Sequence, residues 1–305
     1  MVNPVVFCYG EIGVDCIIQV DEYPRPHNAV FPRPESCHPG GSALTTALWL
    51  AHLGIETGLG GNAIGGDSFG ELLMNRFNQF PHLHMDGVEK GESVSTPYTR
   101  VLVTPDAERA FLIFGYRDAK KVPLTREMVA GASFLALDLY GGQERLEAAR
   151  LAHSLGVQTV ISDIIELNHP ALPFTSIALI SAAYLRAKMP GVDCRNHARA
   201  LQNIFGGPVI LTDGPKPVFC LDSEGRKFTV TPAKVNPVDS TGCGDAFRAG
   251  LIYGLLQGLA LKAAVCWGVA AGTIKVKRVG GSTTLPDRDE IASLAGSLRI
   301  DELGL

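Results

Sequence analysis

Four short apolar runs between residues 133 and 214 constrain the fold most. "SFLALDL" (133–139), "VQTVISD" (157–163), "SIALIS" (176–181) and "PVILTDG" (208–214) are each strand-length and apolar. Helix-like stretches follow the first three. Strands that read as continuous apolar runs are buried on both faces, and an intervening helix lets successive strands run parallel. The N-terminal half has the same rhythm. "VVFCYG" and "DCIIQV" predict strands. "GGSALTTALWLAHLG" predicts a helix with Leu44, Leu48 and Ala51 on its apolar face and Gly54 as its stop. "ETGLGGNAIGGDSFGELLMNRF" predicts a strand, a glycine turn and a helix. The expected class is therefore α/β, a parallel sheet with helices on both faces.

Two segments interrupt the alternation. "VDCIIQVDEYPRPHNAVFPRPESCHPG" and "TPYTRVLVTPDAERAFLIFGYRDA" are β-like with no helix between their strands. They predict either a small sheet standing off the main body as a lid, approximately 14–37 and 96–118, or two ordinary edge hairpins. No other linker or repeat divides residues 1–305, so one domain is expected. Its 46% hydrophobic and 19% charged residues suit a large core.

A net charge of −4 argues against a nucleic-acid surface. The start "MVNPVVFCYGEIGVD" has no basic region before its apolar residues, and no apolar run is long enough for a bilayer, so a cytoplasmic protein is expected. Seven cysteines without a C-x-x-C pair predict reduced thiols rather than a disulfide framework or a zinc site. His82 and His84 lack a third ligand nearby and read as a surface pair.

The chemistry concentrates in glycine turns. "DSTGCGD" (239–245) packs two carboxylates, two hydroxyls and two glycines ahead of an apolar helix. One reading is a phosphate cradle. The N–H groups of Gly242, Cys243 and Gly244 would face an anion at the positive end of the helix, and Asp245 would take a proton from an attacking hydroxyl. The other is a plain capped helix start. In "HPGGSALTT", Gly40 and Gly41 let a ligand approach the backbone. Asp15 would accept two sugar hydroxyls, or be a solvated loop residue. The chain has no Gly-Lys dipeptide, so a Walker-type loop is absent, and no G-x-G-x-x-G follows the first strand.

Together these stretches resemble the ribokinase-like (phosphofructokinase-B) family of carbohydrate kinases. "PGGSALTTALWLAHLG" with "GGNAIGGDSFG" resembles its first signature, "NPVDSTGCGDAFRAG" its second, and "GTIKVKRVGGSTTLPDRDEI" its tail. The resemblance spans nearly the whole chain. It implies a Rossmann-like doubly wound sheet with a small β-sheet lid, and transfer of the γ-phosphoryl of Mg-ATP to a sugar hydroxyl. It implies Asp245 as catalytic base, Gly242, Cys243 and Gly244 as the anion hole, and Asp15, Gly40 and Gly41 facing the sugar. Thr212, Gly214 and Gly272 would serve the nucleotide. Asp239 and Thr241 would belong to a monovalent-cation loop for K⁺. Independently of the resemblance, the strands "RVLVT" and "AFLIF" would give the lid apolar side chains and open edges, which pairing of two lids in a homodimer would cover.

The sequence also departs from that family. Thr45 stands where an Asn often meets the sugar. "ISAAYLRAKMPG" has Ser181 and Tyr184 in place of an Asn-x-x-Glu motif that arranges Mg²⁺, as in ketohexokinase-like and sulfofructose-kinase-like members. Pro217 replaces a second glycine in the nucleotide loop, and Arg117 ends the second lid strand, from which a cation could meet an anionic sugar. Two rival readings stand beside the kinase. "GDSFG" (66–70) matches the G-x-S-x-G pattern of a serine hydrolase with Ser68 as nucleophile. The same fold could also carry a non-catalytic sugar-binding protein.

Overall fold

The computed structural model describes residues 4–304. The chain opens with β1 (Val6–Gly10), β2 (Gly13–Gln19), β3 (Ser36–Gly40) and α1 (Ser42–His52). Then come β4 (Thr57–Gly61), β5 (Ile64–Gly65), α2 (Ser68–Phe77), β6 (Leu83–Gly87), β7 (Lys90–Gly91), β8 (Tyr98–Val103) and β9 (Arg109–Phe114). The alternating region holds α3 (Arg126–Val129), β10 (Phe134–Asp138), α4 (Gln143–Ser154), β11 (Gln158–Ser162), β12 (Ile177–Ser181), α5 (Ala182–Lys188), α6 (Cys194–Phe205) and β13 (Val209–Asp213). Last are β14 (Lys216–Leu221), β15 (Lys227–Thr231), α7 (Cys243–Leu256), α8 (Leu261–Lys275), α9 (Arg288–Ser297) and β16 (Arg299–Leu303).

The apolar runs become the middle of a ten-stranded sheet in the order β16-β15-β14-β13-β12-β11-β10-β1-β4-β6. From β6 to β13 every pairing is parallel, with Cys8 of β1 level with Ala136 of β10 and Leu59 of β4. Both faces are covered, as apolar strands require. One face packs on α1, α7 and α8 through residues such as Leu44, Leu48, Phe247, Leu251 and Val265. The other packs on α4, α5 and α6 through Ala148, Leu185 and Leu201. The purely parallel expectation fails beyond β13, where β14, β15 and β16 are antiparallel. A hairpin needs only a turn, and Gly214 at φ +56° supplies it.

The interrupting segments form a second, four-stranded sheet in the order β3-β2-β8-β9. Strands β2 and β3 are antiparallel and bring Asp15 opposite His38 and Cys16 opposite Cys37. This corrects the expectation of reduced thiols throughout: Cys16 and Cys37 form a disulfide across 21 residues of sequence, while Cys8, Cys194, Cys220, Cys243 and Cys266 are free. Strand register places the two side chains opposite each other, and no local spacing pattern announces such a pairing. His82 and His84 converge on Glu56, whose carboxylate their hydrogen bonds hold below its ordinary range. Among the described residues, no helix is long and apolar enough to cross a membrane.

Candidate active site

The chemistry-bearing residues gather at the carboxyl ends of the parallel strands, where open α/β sheets place their sites. Glu11 follows β1, Asp138 ends β10, Asp163 follows β11 and Thr212 lies near the end of β13. The small sheet contributes Asp15, and the start of α7 contributes the glycine turn. Gly242 sits at φ +75° as the residue before α7. A Cβ there would lie 2.6 Å from the backbone of Gly281, so only glycine lets the two loops touch. The Cys243 N–H donates to the Ser240 carbonyl at 3.2 Å. Among the described residues the N–H groups of Gly242, Gly244 and Asp245 have no protein acceptor. They are open donors at a helix N-terminus, and of the expected trio Cys243 is the one already engaged.

Asp245 does not turn back to cap its own helix. Ser42 Oγ, in the first turn of α1, donates to its Oδ1 at 2.7 Å, and the Arg248 guanidinium lies 3.5 Å from the same oxygen. Burial pushes the Asp245 carboxyl up to about 6, with Arg248 and the Ser42 hydroxyl opposing the rise. Such a carboxyl is ionised at neutral pH yet basic enough to accept a proton. Arg248 is fully buried and donates to Thr46 Oγ1, Ser162 Oγ and the carbonyls of Ser42 and Leu137. It ties α1, β10 and β11 to the first turn of α7.

The sugar-facing candidates come together in part. A Cβ on Gly40 would fall 2.2 Å from the Asp15 carboxyl carbon, so Gly40 makes room for that carboxylate. Gly41, at φ +88°, lets the chain pass the Glu11 carbonyl into α1. Burial pushes Asp15 up to about 7, with Asp245 and Asp239 adding to the rise. Burial also pushes Glu11 up to about 8, with Asp138 and Asp15 as neighbouring charges. Thr45, however, is buried on the far side of the turn, its methyl against Gly242 and Gly281. Arg117 is exposed. Its neighbour Tyr116 points inward instead, a buried hydroxyl with no protein partner, near Glu11, Asp15 and Asp138.

At the other end, Thr212 Oγ1 donates to the Ile180 carbonyl, and Gly214 is an open turn. Gly272 lies where α8 meets the start of α7, its ideal Cβ 3.2 Å from the Cys243 carbonyl. Ser181 caps α5 through the Tyr184 N–H. Asp163, at φ +56°, accepts the Ser181 N–H at 2.9 Å and the Tyr140 hydroxyl at 2.5 Å. Asp239 is fully buried. Its carboxylate accepts the N–H groups of Thr241 and Gly280, both at 2.8 Å, and Lys275 lies beside it. Arg109, on β9, donates to the Ser240 carbonyl at 2.7 Å.

The sequence reading missed Arg248, Lys275, Arg109 and Tyr116 as site residues. Arg248 had a signal, a lone cation inside the otherwise apolar helix α7; Lys275, the last residue of a helix that also carries Lys262, had none. The hydrolase reading finds no support. Asp67 caps α2 and binds Thr96, and Ser68 merely opens that helix with no histidine among its partners.

The model of the pfkB family of carbohydrate kinases matches residues 4–288. A ribokinase of Schizosaccharomyces pombe is 24% identical over 95% of this chain and 97% of its own length. A probable fructokinase-7 of Arabidopsis thaliana is 25% identical over 97% and 93%. The structure of Arabidopsis thaliana ribokinase complexed with ribose and ATP superposes with a TM-score of 0.79 at 18% identity, covering 96% of this chain and 99% of that one. With the doubly wound sheet, the smaller sheet and the glycine turn into α7, the match over nearly its whole length means that this chain belongs to the pfkB family of carbohydrate kinases.

Proposed function

We propose that the protein transfers the γ-phosphoryl group of Mg-ATP directly to a hydroxyl of a small neutral carbohydrate, a ketose or related sugar, with Asp245 as general base. The observation that carries this reading is Asp245 itself: a partly exposed carboxylate beside unpaired N–H groups, held by the Ser42 hydroxyl and the Arg248 guanidinium rather than closing onto the backbone N–H groups of its own helix. The sugar hydroxyl gives its proton to Asp245 as its oxygen attacks phosphorus. The Gly242 and Gly244 N–H groups and the positive end of α7 stabilise the charge on the moving phosphoryl. Asp15, with the Gly40–Gly41 turn at its side, orients the sugar. The small sheet acts as the lid, and Thr212, Gly214 and Gly272 line the nucleotide's path.

Asp15 and Glu11 lie near one another with no ion-pair partner among the described residues, and Arg117 is turned outward, an arrangement that suits a polyol better than a sugar acid. Mg²⁺ takes hard oxygen donors and keeps several waters on a nucleotide. Ser181 and Tyr184 bring no carboxylate, so Asp163 is the residue that would hold the ion or its waters, and the ion would supply charge neutralisation for the phosphates. ADP release with Mg-ATP over ketoses, pentoses, nucleosides and acidic sugars tests the assignment. Turnover of a ketose above all acidic sugars is expected, and ADP release with none of them refutes it.

The small sheet also supports a homodimer through the lid. Strand β9 exposes Phe111, Leu112, Ile113 and Phe114 in succession along a sheet edge, a surface that proteins usually cover. Sedimentation is expected to give a dimer at micromolar concentration, and a monomer throughout would refute it.

A further inference from the structure

A lysine ammonium is buried against the loop that leads into Gly242. Lys275 is the last residue of α8, and its side chain is 2% exposed against 1% for Asp239. Its ammonium donates to the Asp239 carbonyl at 2.7 Å and to the Arg278 carbonyl at 3.0 Å, and lies 3.6 Å from Asp239 Oδ2. An ammonium has three donors, and here they face three oxygens. Those oxygens belong to Asp239, one of the two residues that the resemblance placed in a K⁺ loop, and to the turn after α8. The Asp239 carboxylate accepts the Thr241 and Gly280 N–H groups, the second of which clasps the loop to the Gly280–Gly281 turn.

A free K⁺ does not fit this arrangement. The Asp239 and Arg278 carbonyls are turned toward Nζ, both carboxylate oxygens already accept N–H groups, and a second monocation beside a buried ammonium would meet like-charge repulsion at short range. Arg109, on the Ser240 carbonyl at 2.7 Å, adds another positive charge on the same loop. The Thr241 hydroxyl is buried without a partner, but one hydroxyl is not a cage. We propose that Lys275 is the resident monovalent cation of this enzyme: its ammonium takes the place of K⁺, fixes the Asp239–Thr241 turn, and makes the protein independent of added monovalent ions. The loop it fixes leads into Gly242, so on the kinase reading Lys275 is a positioning residue for the phosphoryl cradle.

The test begins without turnover. Wild-type protein is titrated with KCl by calorimetry, and its melting temperature is measured in tetramethylammonium, sodium and potassium chloride at constant ionic strength. No heat of binding and no potassium-specific shift are expected, because a ligand that does not bind the native state cannot stabilise it. Lys275→Met empties the cage around a buried Asp239. Its melting temperature should fall in tetramethylammonium and recover in part with K⁺ or ammonium, which fit the vacated space, but not with tetramethylammonium. Saturable K⁺ binding to wild type, or a Lys275→Met protein that behaves like wild type in every salt, overturns the proposal. If Lys275→Met fails to fold in all salts, the wild-type titration decides alone. ADP release by wild type, with the best sugar of the screen, should be the same in potassium and tetramethylammonium, and a gain in K⁺ above about twofold also overturns it. An inactive protein that binds no K⁺ would refute the kinase reading and leave the cation reading intact.

Discussion

Replacing Asp245 by Asn separates catalysis from structure at one atom. Asn keeps the shape of Asp, and its Oδ1 still accepts the Ser42 hydroxyl that Asp245 accepts at 2.7 Å. What it loses is the capacity to take a proton. A positioned general base is worth about 10² to 10⁴ in rate, which corresponds to roughly 2.7–5.5 kcal/mol of barrier. The turnover number should fall by at least the lower figure. Burial holds the wild-type carboxyl at about 6, so the wild-type profile should show an acid limb near that pH, absent from any residual activity of the variant. Affinity for ATP should hold or rise, because a negative charge beside the phosphates has gone. Stability should not fall. A carboxyl raised above its ordinary value favours folding only while protonated, and that contribution is lost as pH rises through about 6, so the neutral Asn is at least as stable at pH 8. If Asp245 merely closed its helix, Asn would be a nearly equal substitute and turnover would survive. Steady-state turnover, nucleotide affinity and melting temperature on this variant are the assay. A turnover number within threefold of wild type would refute the reasoning.

Three further outcomes follow from the same geometry. Burial raises Asp15 to about 7, so its contribution to stability is present below its unfolded value and lost as pH rises through 7. Asp15→Asn should therefore be more stable to unfolding than wild type at pH 8, by roughly 1–3 kcal/mol after allowing for partial solvent contact, and show no gain at pH 4; an equal change at both pH values in denaturant unfolding speaks against it. Gly242→Ala should cost about 1 kcal/mol for its left-handed backbone, plus the overlap with Gly281, and should lower both melting temperature and turnover; a variant with wild-type melting and activity would show that the two loops are not in contact. Arg248→Met removes the cation 3.5 Å from Asp245, so the acid limb of the turnover profile should move up by about one pH unit; an unmoved limb in folded protein would confine Arg248 to packing.

Much of this molecule is written locally. Apolar runs such as "SFLALDL" and "VQTVISD" can be buried only as inner strands, and alternation with helices leaves few topologies besides a parallel sheet covered on both faces. The turn "DSTGCGD" likewise declares its donors and its carboxylate through its own residues, because glycine at a helix start has a local physical meaning. Tertiary structure decided what depends on distant segments meeting. Ser42 reaches Asp245 across 203 residues, and Arg248 reaches Thr46 across 202, contacts that no spacing rule encodes. Strand β9 stops at Phe114, short of the expected end at Arg117, and the turn that follows buries Tyr116 and leaves Arg117 exposed, a choice that strand alternation does not set. The register of β2 against β3 set Cys16 opposite Cys37. A lysine at the end of an apolar helix reads only as a charge with no evident partner. The fold of α8 against the Asp239 turn surrounds it with oxygens, because a buried ammonium must find acceptors and those carbonyls are the ones within its reach.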